Sequence, residues 1–290
     1  MKPTVGVAIP AYMHAEFIGT TIESVLRQTL QADIIVVVDD RSDDDTASIA
    51  EQFDRVRVIR HSERQGPTRT TADAIAECRT DFVAVLDGDD LMRRQRLEVQ
   101  VRALLEDDRI AIVGSLVQPI DPHDRPIGGP TGTPGVHAAL DWVKGGMLAG
   151  GSSLMVRAPF VNHDLGLTWA SDWKFVLDNL EGQAASLILD EVLVDYRRHP
   201  GSVSTLHRVN GLTDHVLMCD ALIDSTESTE MLAALREQRA AKRCQLGEAQ
   251  LSERQYRAAA RSLVGATIDS RGALVRSVTA SVRDGLRARR

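Results

Sequence analysis

Residues 81–92 read DFVAVLDGDDLM, in which an apolar run ends at three carboxylates around one glycine. The acids are Asp87, Asp89 and Asp90, and the glycine is Gly88. Adjacent carboxylates repel one another, so this cluster is either a solvated turn or a site for a cation. Mg²⁺ and Mn²⁺ prefer oxygen ligands, and Mg²⁺ usually binds through one or two carboxylates together with phosphate oxygens. The Asp-x-Asp spacing therefore indicates a divalent cation that holds a diphosphate.

A second group of acids follows another predicted strand. Ile34–Val38 is a run of β-branched residues, which is typical of a strand buried on both faces. Asp39 and Asp40 come directly after it, and the three acids at 43–45 are interpreted as caps of a following helix. Ligands of parallel α/β sheets bind beyond the carboxyl ends of the strands. We therefore expect Asp39 and the cluster that begins at Asp87 to lie at one edge of a sheet.

Strand and helix patterns alternate along the first 115 residues. The predicted strands are Val5–Ile9, Ile34–Val38, Val56–Ile59, Phe82–Leu86 and Ile110–Val113, and the predicted helices are Ala15–Gln28, Thr46–Phe53, Arg69–Cys78 and Arg93–Leu105. This alternation predicts an α/β fold with a doubly wound, mainly parallel sheet flanked by helices.

The rest of the chain carries weaker signals. Residues 116–136 are rich in Pro and Gly and are expected to form a long loop that faces substrate. Short strands are predicted at Ser153–Val156, Leu187–Leu189 and Val192–Tyr196, and a helix at Trp169–Leu180. After about Gly211 the pattern is purely helical. It includes one hairpin with tetratricopeptide-like spacing and ends in a basic amphipathic helix over 270–290.

Composition limits the class of protein. The chain has 290 residues and a formal charge of −7, but residues 236–290 carry +8 and the remainder −15. Most of the surface should therefore repel nucleic acid, whereas the tail could contact an acidic membrane surface. No apolar run approaches the length of a membrane span, and no signal peptide is recognised. The three cysteines are far apart in the sequence, as expected of reduced thiols, so we expect a cytoplasmic protein.

Five motifs together resemble the family 2 glycosyltransferases of the GT-A fold. In chain order they are VAIPAY (7–12), VVDDRSDDDT (37–46), VLDGDD (85–90), SDW (171–173) and YRRHPGS (196–202). The resemblance implies an inverting transfer of a sugar from a nucleotide-diphosphate sugar to an acceptor hydroxyl. It divides the chain into a GT-A domain over 1–212 and a helical extension over 213–290. Within the domain, about 1–115 would bind the donor and about 116–212 the acceptor.

The resemblance also assigns roles to residues of the donor site. Tyr12 would lie against the nucleobase, with Pro10 and Ala11 forming its turn, and Asp39 would bind the base. UDP is the nucleotide that the resemblance favours. Further donor contacts are expected from Arg69, Asp87, Gly88, Arg197 and His199.

The metal and the general base are assigned in the same way. Asp89 would be the direct ligand of Mn²⁺ or Mg²⁺, with Asp87 and His199 as further ligands. Asp172 would deprotonate the acceptor hydroxyl, a step typically worth about 10²–10⁴-fold in rate. The remaining histidines, His14 among them, show no ligand spacing and are interpreted as structural or surface residues.

Other functions stay open at this point. A nucleotidyltransferase shares the sheet type and the acidic turn, although residues 13–17 supply no Gly-rich, basic loop for a triphosphate. A sugar-nucleotide-binding protein that has lost turnover is a non-enzyme alternative. The acceptor could be a saccharide, a lipid-linked molecule or a small metabolite, and a homodimer is left open. No dinucleotide fingerprint follows the first strand, which disfavours an oxidoreductase.

Overall fold

The computed structural model describes residues 2–160, 166–169, 171–180, 182 and 184–269. Its first half is a parallel α/β layer. The strands are β1 (Val5–Ala11), β2 (Ile34–Asp39), β3 (Val56–Arg60) and β4 (Phe82–Val85), and the helices between them are α1 (Ile18–Leu26), α2 (Thr46–Ala50) and α3 (Pro67–Cys78). These strands lie in the order β3-β2-β1-β4, and every neighbouring pair is parallel. Their carboxyl ends consequently lie at one edge, as the sequence predicted.

The sheet continues with strands of mixed direction. They are β5 (Leu91–Met92), β6 (Ile110–Ile120), β7 (Gly135–His137), β8 (Met155–Arg157) and β9 (Ala185–Arg197), and the helices of this part are α4 (Arg96–Glu106), α5 (Ala139–Gly145) and α6 (Ser171–Asp178). The full order is β3-β2-β1-β4-β8-β6-β9-β5, with β7 also paired to β9. β8 is antiparallel to both β4 and β6, whereas β6 and β9 are parallel.

The core lies on both faces of the parallel strands. On one face, alternate residues of β1 such as Val7 and Ile9 join a buried cluster that includes Ile22 of α1 and Leu97 of α4. On the other face α3 packs close to β1. A Cβ at Gly6 would lie 2.6 Å from Cys78 Cβ, so glycine is what permits this approach. Burial on both faces explains why β1 and β2 read as continuous apolar runs.

The predicted loop over 116–136 is only partly a loop. Its first five residues extend β6 to Ile120, so the prediction was wrong for that stretch. Val117 and Thr131 exchange two backbone hydrogen bonds of 3.0 and 2.9 Å, and Ile127 N–H donates to Pro119 O across 2.8 Å. The chain therefore folds back along its own strand. Pro and Gly mark the bends of this return segment and not an unpaired loop.

Contacts divide the chain into two compact units. The first comprises 1–142 and 147–200 and contains the sheet; the second comprises 143–146 and 201–290. In the second unit the helices are α7 (Val203–Leu206), α8 (Arg208–Ser225), α9 (Thr229–Ser252) and α10 (Tyr256–Asp269). The division proposed at residue 212 stays a prediction.

Helices α9 and α10 form an antiparallel hairpin. A Cβ at Gly247 would lie 2.7 Å from Leu263 Cγ, so the two helices approach closely at this point. At the other end, Arg239 Nη2 lies 2.6 Å from Asp269 Oδ1. The basic amphipathic helix predicted over 270–290 lies outside the described residues. Among the helices that are described, none is long and apolar enough to cross a membrane.

Candidate active site

The loop after β4 is buried and packs directly on the end of β1. Asp89 is 8% exposed and Asp90 is inaccessible to solvent, which excludes a plain solvated turn. Gly88 N–H donates to Pro10 O across 3.0 Å. A Cβ at Gly88 would lie 3.1 Å from Ala11 Cβ and 3.2 Å from Pro10 O, so a larger residue would push the loop away from β1. The donor-binding roles of these residues stay predictions.

The acids of this loop are held together against their mutual repulsion. Burial, followed by the charges of Asp89 and Asp172, raises the pKa of Asp87 to about 7. Burial, followed by the charges of Asp89 and Asp87, raises the pKa of Asp90 well above its usual value. The buried guanidinium of Arg96 partly offsets these charges, and its Nη2 donates to Val85 O at 2.9 Å. The site therefore favours an additional positive charge.

Two histidines meet the loop at Asp89. His199 Nε2 lies 2.9 Å from Asp89 Oδ2, and His14 Nε2 lies 3.8 Å from the same oxygen. One ligand atom from each of these three residues falls within 4.8 Å of the others. The pairing of Asp89 with His199 agrees with the expected metal site. His14 was interpreted as a structural or surface residue, and no sequence pattern indicated that its ring lies beside Asp89.

A divalent cation fits this donor set. A carboxylate and two imidazoles are groups that bind Mn²⁺ and neighbouring transition ions in proteins. The buried acids on either side, Asp87 and Asp90, would be stabilised by a cation, as their raised pKa values indicate. Asp87 itself donates from its backbone N–H to Ser152 Oγ across 3.0 Å, which fixes the start of the loop.

Asp39 organises the turn that positions His14. Its carboxylate, fully buried, accepts hydrogen bonds from the backbone N–H of Ser42 at 3.1 Å and from Ser42 Oγ. Ser42 Oγ in turn accepts from the backbone N–H of Met13 at 2.9 Å. Arg60 Nε lies 3.4 Å from Asp39 Oδ2. The structure thus engages both oxygens of Asp39 within the protein, and its role in binding a base stays a prediction.

Asp40 fixes a second loop at this edge. Its carboxylate accepts from the backbone N–H groups of Gln65 at 2.7 Å and Gly66 at 2.8 Å. The neighbouring Arg64 lies over the Tyr12 ring, with its guanidinium carbon 3.9 Å from the ring centroid, and 5.9 Å from the ring of Trp169. Tyr12, half-buried, therefore presents an aromatic face covered by a cation. Sequence reasoning missed Arg64, because no periodic pattern marks a residue placed by a loop.

Arg69 pairs with a carboxylate of its own helix. Its Nε donates to Asp73 Oδ2 across 2.9 Å on the exposed side of α3. Asp73 also lies 3.2 Å from His61 Nε2, and His61 Nδ1 lies 2.9 Å from Asp40 Oδ1. Arg69 is therefore connected to the loop that Asp40 fixes, and its contact with a donor stays a prediction.

Arg197 ties β9 to the acidic loop. Its backbone N–H donates to Asp90 Oδ1 and its Nε to Asp89 O, both at 2.7 Å. Its Nη1 pairs with Asp124 at 2.5 Å, and its guanidinium lies 4.7 Å from the Phe17 ring. The side chain is 2% exposed. Arg197 thus supports the loop from within, and its contact with a donor stays a prediction.

Asp172 lies in the first turn of α6. A Cβ at Gly151 would overlap its carboxylate, so Gly151 leaves the space that Asp172 occupies. The next residue, Trp173, is buried and donates from Nε1 to Trp142 O across 2.9 Å, which anchors the helix. The charge of Asp172 contributes to the raised pKa of Asp87, so the two carboxylates lie close enough to interact. Beside them is an open pocket lined in part by Thr68, Thr71 and Phe175.

The sheet order and the acidic loop define a GT-A type of α/β protein. The structure matches that of S. aureus TarS 1–349 in complex with UDP-GlcNAc with a TM-score of 0.64 at 17% identity, over 83% of this chain and 72% of the other. The same protein in complex with UDP gives a TM-score of 0.60, again at 17% identity, over 82% of this chain and 70% of the other. The predicted fold is therefore confirmed.

Sequence comparison finds relatives of the first half of the chain. Residues 6–132 match the model of glycosyl transferase family 2. The glycosyltransferase GlyG of Streptococcus pneumoniae is 25% identical over 119 residues, which is 40% of each chain. Chondroitin synthase of Escherichia coli is 30% identical over 123 residues, or 41% of this chain and 18% of the synthase. The chain thus spans less than half the length of these curated relatives.

Proposed function

We propose that the protein is an inverting glycosyltransferase that takes a UDP-sugar as its donor. The observation that carries the proposal is the 2.9 Å pairing of Asp89 with His199 in an acidic loop whose Asp87 lies close enough to Asp172 for their charges to interact. TarS was solved in complex with UDP-GlcNAc and with UDP, and GlyG is named a glycosyltransferase; both support this reading. The predicted alternative of a nucleotidyltransferase has no comparable support.

Asp89 and His199 would hold a divalent cation, with Asp87 beside them. When bound, the cation supplies positive charge that stabilises the departing diphosphate. The residues of the chain supply the shape of the site. Gly88 lets the loop reach the end of β1, and Arg197 holds Asp89 and Asp90 in place.

Asp172 would act as the general base of the transfer. A sugar hydroxyl is a weak nucleophile, and a carboxylate that accepts its proton as the new bond forms typically accelerates such a step by about 10²–10⁴-fold. Asp172 lies in the first turn of α6, and the buried Trp173 fixes the helix that carries it. Attack from the side of Asp172 would proceed opposite the diphosphate and invert the anomeric carbon.

The donor nucleotide would lie along the carboxyl ends of β1 and β2. Tyr12 offers an aromatic face for the base. Arg64 lies over that face in the structure, and in the complex it would contact a phosphate of the donor or the ring of the base. Asp39 lies beneath this position and holds the turn after β2. The acceptor would enter from the side of the pocket beside Asp172.

The test uses the full chain with a panel of UDP-, dTDP- and GDP-sugars in the presence of Mn²⁺. We expect a UDP-sugar to raise the melting temperature and to be hydrolysed slowly or transferred. Asp172→Asn should lower turnover by at least about 100-fold while nucleotide binding persists. The matched control, Asp54→Asn, removes an exposed carboxylate of the same unit and should retain activity.

Two results would contradict the proposal. Full activity of Asp172→Asn would remove the assigned base. Binding of UDP-sugar without hydrolysis or transfer to any saccharide, lipid-linked or small-molecule acceptor would instead identify a binding protein that has lost turnover.

A further inference from the structure

We infer that His14 is a third protein ligand of the cation held by Asp89 and His199, and that the two imidazoles select a transition ion over Mg²⁺. The inference rests on the metal site of the proposed function and extends it. It concerns a residue that follows β1 and that the glycosyltransferase motifs do not include.

The distances permit one ion to contact all three residues. Ligand atoms from His14, Asp89 and His199 lie within 4.8 Å of one another, and the two histidine Nε2 atoms approach the same oxygen of Asp89. Ligand atoms about 2.1 Å from one ion are separated by about 3.0–4.2 Å. Small rotations of the two rings would therefore bring all three ligand atoms within coordination distance of one ion.

The backbone holds His14 at this position. Its N–H donates to Thr46 Oγ1 across 2.8 Å, and its carbonyl oxygen accepts from Phe17 N–H at 2.9 Å and Ile18 N–H at 2.8 Å, where α1 begins. Met13, just before it, has a φ of 59°, a left-handed conformation that is costly for a non-glycine residue. The sharp reversal at Met13 directs the next residue toward the acidic loop.

The His14 ring is buried beside the acidic loop. The His14 side chain is only 12% exposed, and its Nδ1 is buried without a hydrogen-bond partner in the described part of the chain. Nδ1 lies on the side of Gly88, where a Cβ would come within 2.7 Å of it, so Nε2 is the ring nitrogen that faces Asp89. Asp89 also contacts His199, so an ion beside its carboxylate would have Nε2 of both rings within reach.

The chemistry of the set determines which ion it prefers. Mg²⁺ favours oxygen ligands and near-ideal octahedral geometry, whereas imidazole nitrogen suits Zn²⁺, Co²⁺ and other first-row ions better. His199 is also held in orientation by Phe17, whose ring centroid lies 5.0 Å from its own. Two positioned imidazoles and one carboxylate should therefore bind Mn²⁺ or Co²⁺ more tightly than Mg²⁺.

The experiment counts histidine nitrogens on bound Mn²⁺ by pulsed electron paramagnetic resonance, using full-length protein with and without ¹⁵N-labelled histidine, in the presence of UDP. We expect two coupled imidazoles in the unsubstituted protein and one in His14→Asn or His199→Asn. The control His123→Asn removes an exposed histidine and should leave two. In calorimetry, His14→Asn should weaken binding of Mn²⁺ and Co²⁺ about tenfold and that of Mg²⁺ much less.

Each outcome is decisive. An unchanged count of two in His14→Asn, or a count of one in the unsubstituted protein, overturns the inference and leaves the proposed function intact. Absence of bound Mn²⁺ overturns the inference and the metal of the proposed function together. Two imidazoles in a protein that transfers no sugar support the site and contradict the enzyme. If His14→Asn does not fold, as judged by circular dichroism, His14→Gln replaces it under the same criteria.

Discussion

The backbone N–H of Arg197 donates a 2.7 Å hydrogen bond to Asp90 Oδ1, so the end of β9 and the loop after β4 form one structural element. The Arg197 side chain extends the connection to Asp89 O, Asp124 and the Phe17 ring. The position of Asp89 is consequently determined by a residue more than a hundred positions later in the chain.

Arg197→Lys should destabilise the fold. Lysine retains the charge but cannot reproduce the several directions in which the guanidinium donates, and buried acceptors would be left unpaired. We expect a loss of about 2–4 kcal/mol in the free energy of unfolding, measured in urea. Arg198→Lys is the control, because Arg198 is exposed, and it should change stability by less than about 0.5 kcal/mol. Equal effects of the two substitutions would contradict the role given to Arg197.

Gly151→Ala should impair catalysis more than folding. The added Cβ would overlap the Asp172 carboxylate and displace it from its position facing Asp87. Because a small misplacement of a catalytic group can cost about 100-fold, we expect kcat to fall by that order with a modest change in melting temperature. Gly129→Ala adds a methyl group in open space and should leave kcat unchanged. Retention of kcat in Gly151→Ala would show that Asp172 does not need this position.

Ser42→Ala should loosen the turn that leads to His14. The hydroxyl of Ser42 donates to Asp39 and accepts from Met13 N–H, so its removal leaves two buried groups without that partner. We expect the free energy of unfolding, measured by thermal unfolding, to decrease by about 1–3 kcal/mol. Binding of Mn²⁺ should also become weaker. Ser48→Ala, at an exposed serine of α2, should have little effect on either quantity. Unchanged binding of Mn²⁺ in Ser42→Ala would show that the turn held by Ser42 does not influence the metal site.

The second unit should lose stability in acid through His215. Burial and the charge of Lys242 lower the pKa of His215 to about 4, although Asp214 and a hydrogen bond to Gly211 O oppose the shift. Since the folded pKa lies below the unfolded value near 6.5, the unfolded state binds the proton more tightly. Stability should therefore be full above pH 6.5 and fall as the pH decreases toward 4.

His215→Gln removes this titration and is the direct check. Urea unfolding of both proteins between pH 7.5 and 4.5, followed by the helical signal, should give a shallower decrease for His215→Gln. His123→Gln, at an exposed position, should follow the unsubstituted protein. Parallel decreases in all three proteins would assign the acid sensitivity to other groups.

Local patterns in the sequence predicted the parallel half of the sheet and the acidic loop. Ile34–Val38 indicated a strand buried on both faces, and β2 is one. The later strands were harder to predict, because their signals are interrupted. Two short strands were expected on either side of Asp190 and Glu191, but β9 runs through both. The partners of Leu189 and Val192 on β6 are the adjacent Ser115 and Leu116, so the two exposed acids bulge out without breaking the strand.

The candidate site was predictable where motifs mark it and not where tertiary structure creates it. Asp89 and His199 were paired on the strength of family motifs, and the structure brings them together. His14 follows a strand like many loop residues. The reversal at Met13 and the hydrogen bonds from Met13 N–H to Ser42 and from His14 N–H to Thr46 place it beside Asp89, and none of these contacts leaves a sequence pattern. The position of Arg64 depends on Asp40, whose carboxylate accepts hydrogen bonds from the backbone of the two residues that follow Arg64. Such backbone contacts leave no pattern in the sequence.

Arg96 gives the acidic loop a positive charge that belongs to the protein itself. Its guanidinium lies inside the protein, bonded to Val85 O and Leu154 O and close to the acids of the loop. This charge stays beneath the loop whether or not a cation is bound. Under the proposed function, the loop would therefore keep its fold between two rounds of transfer and be ready to take up the next ion.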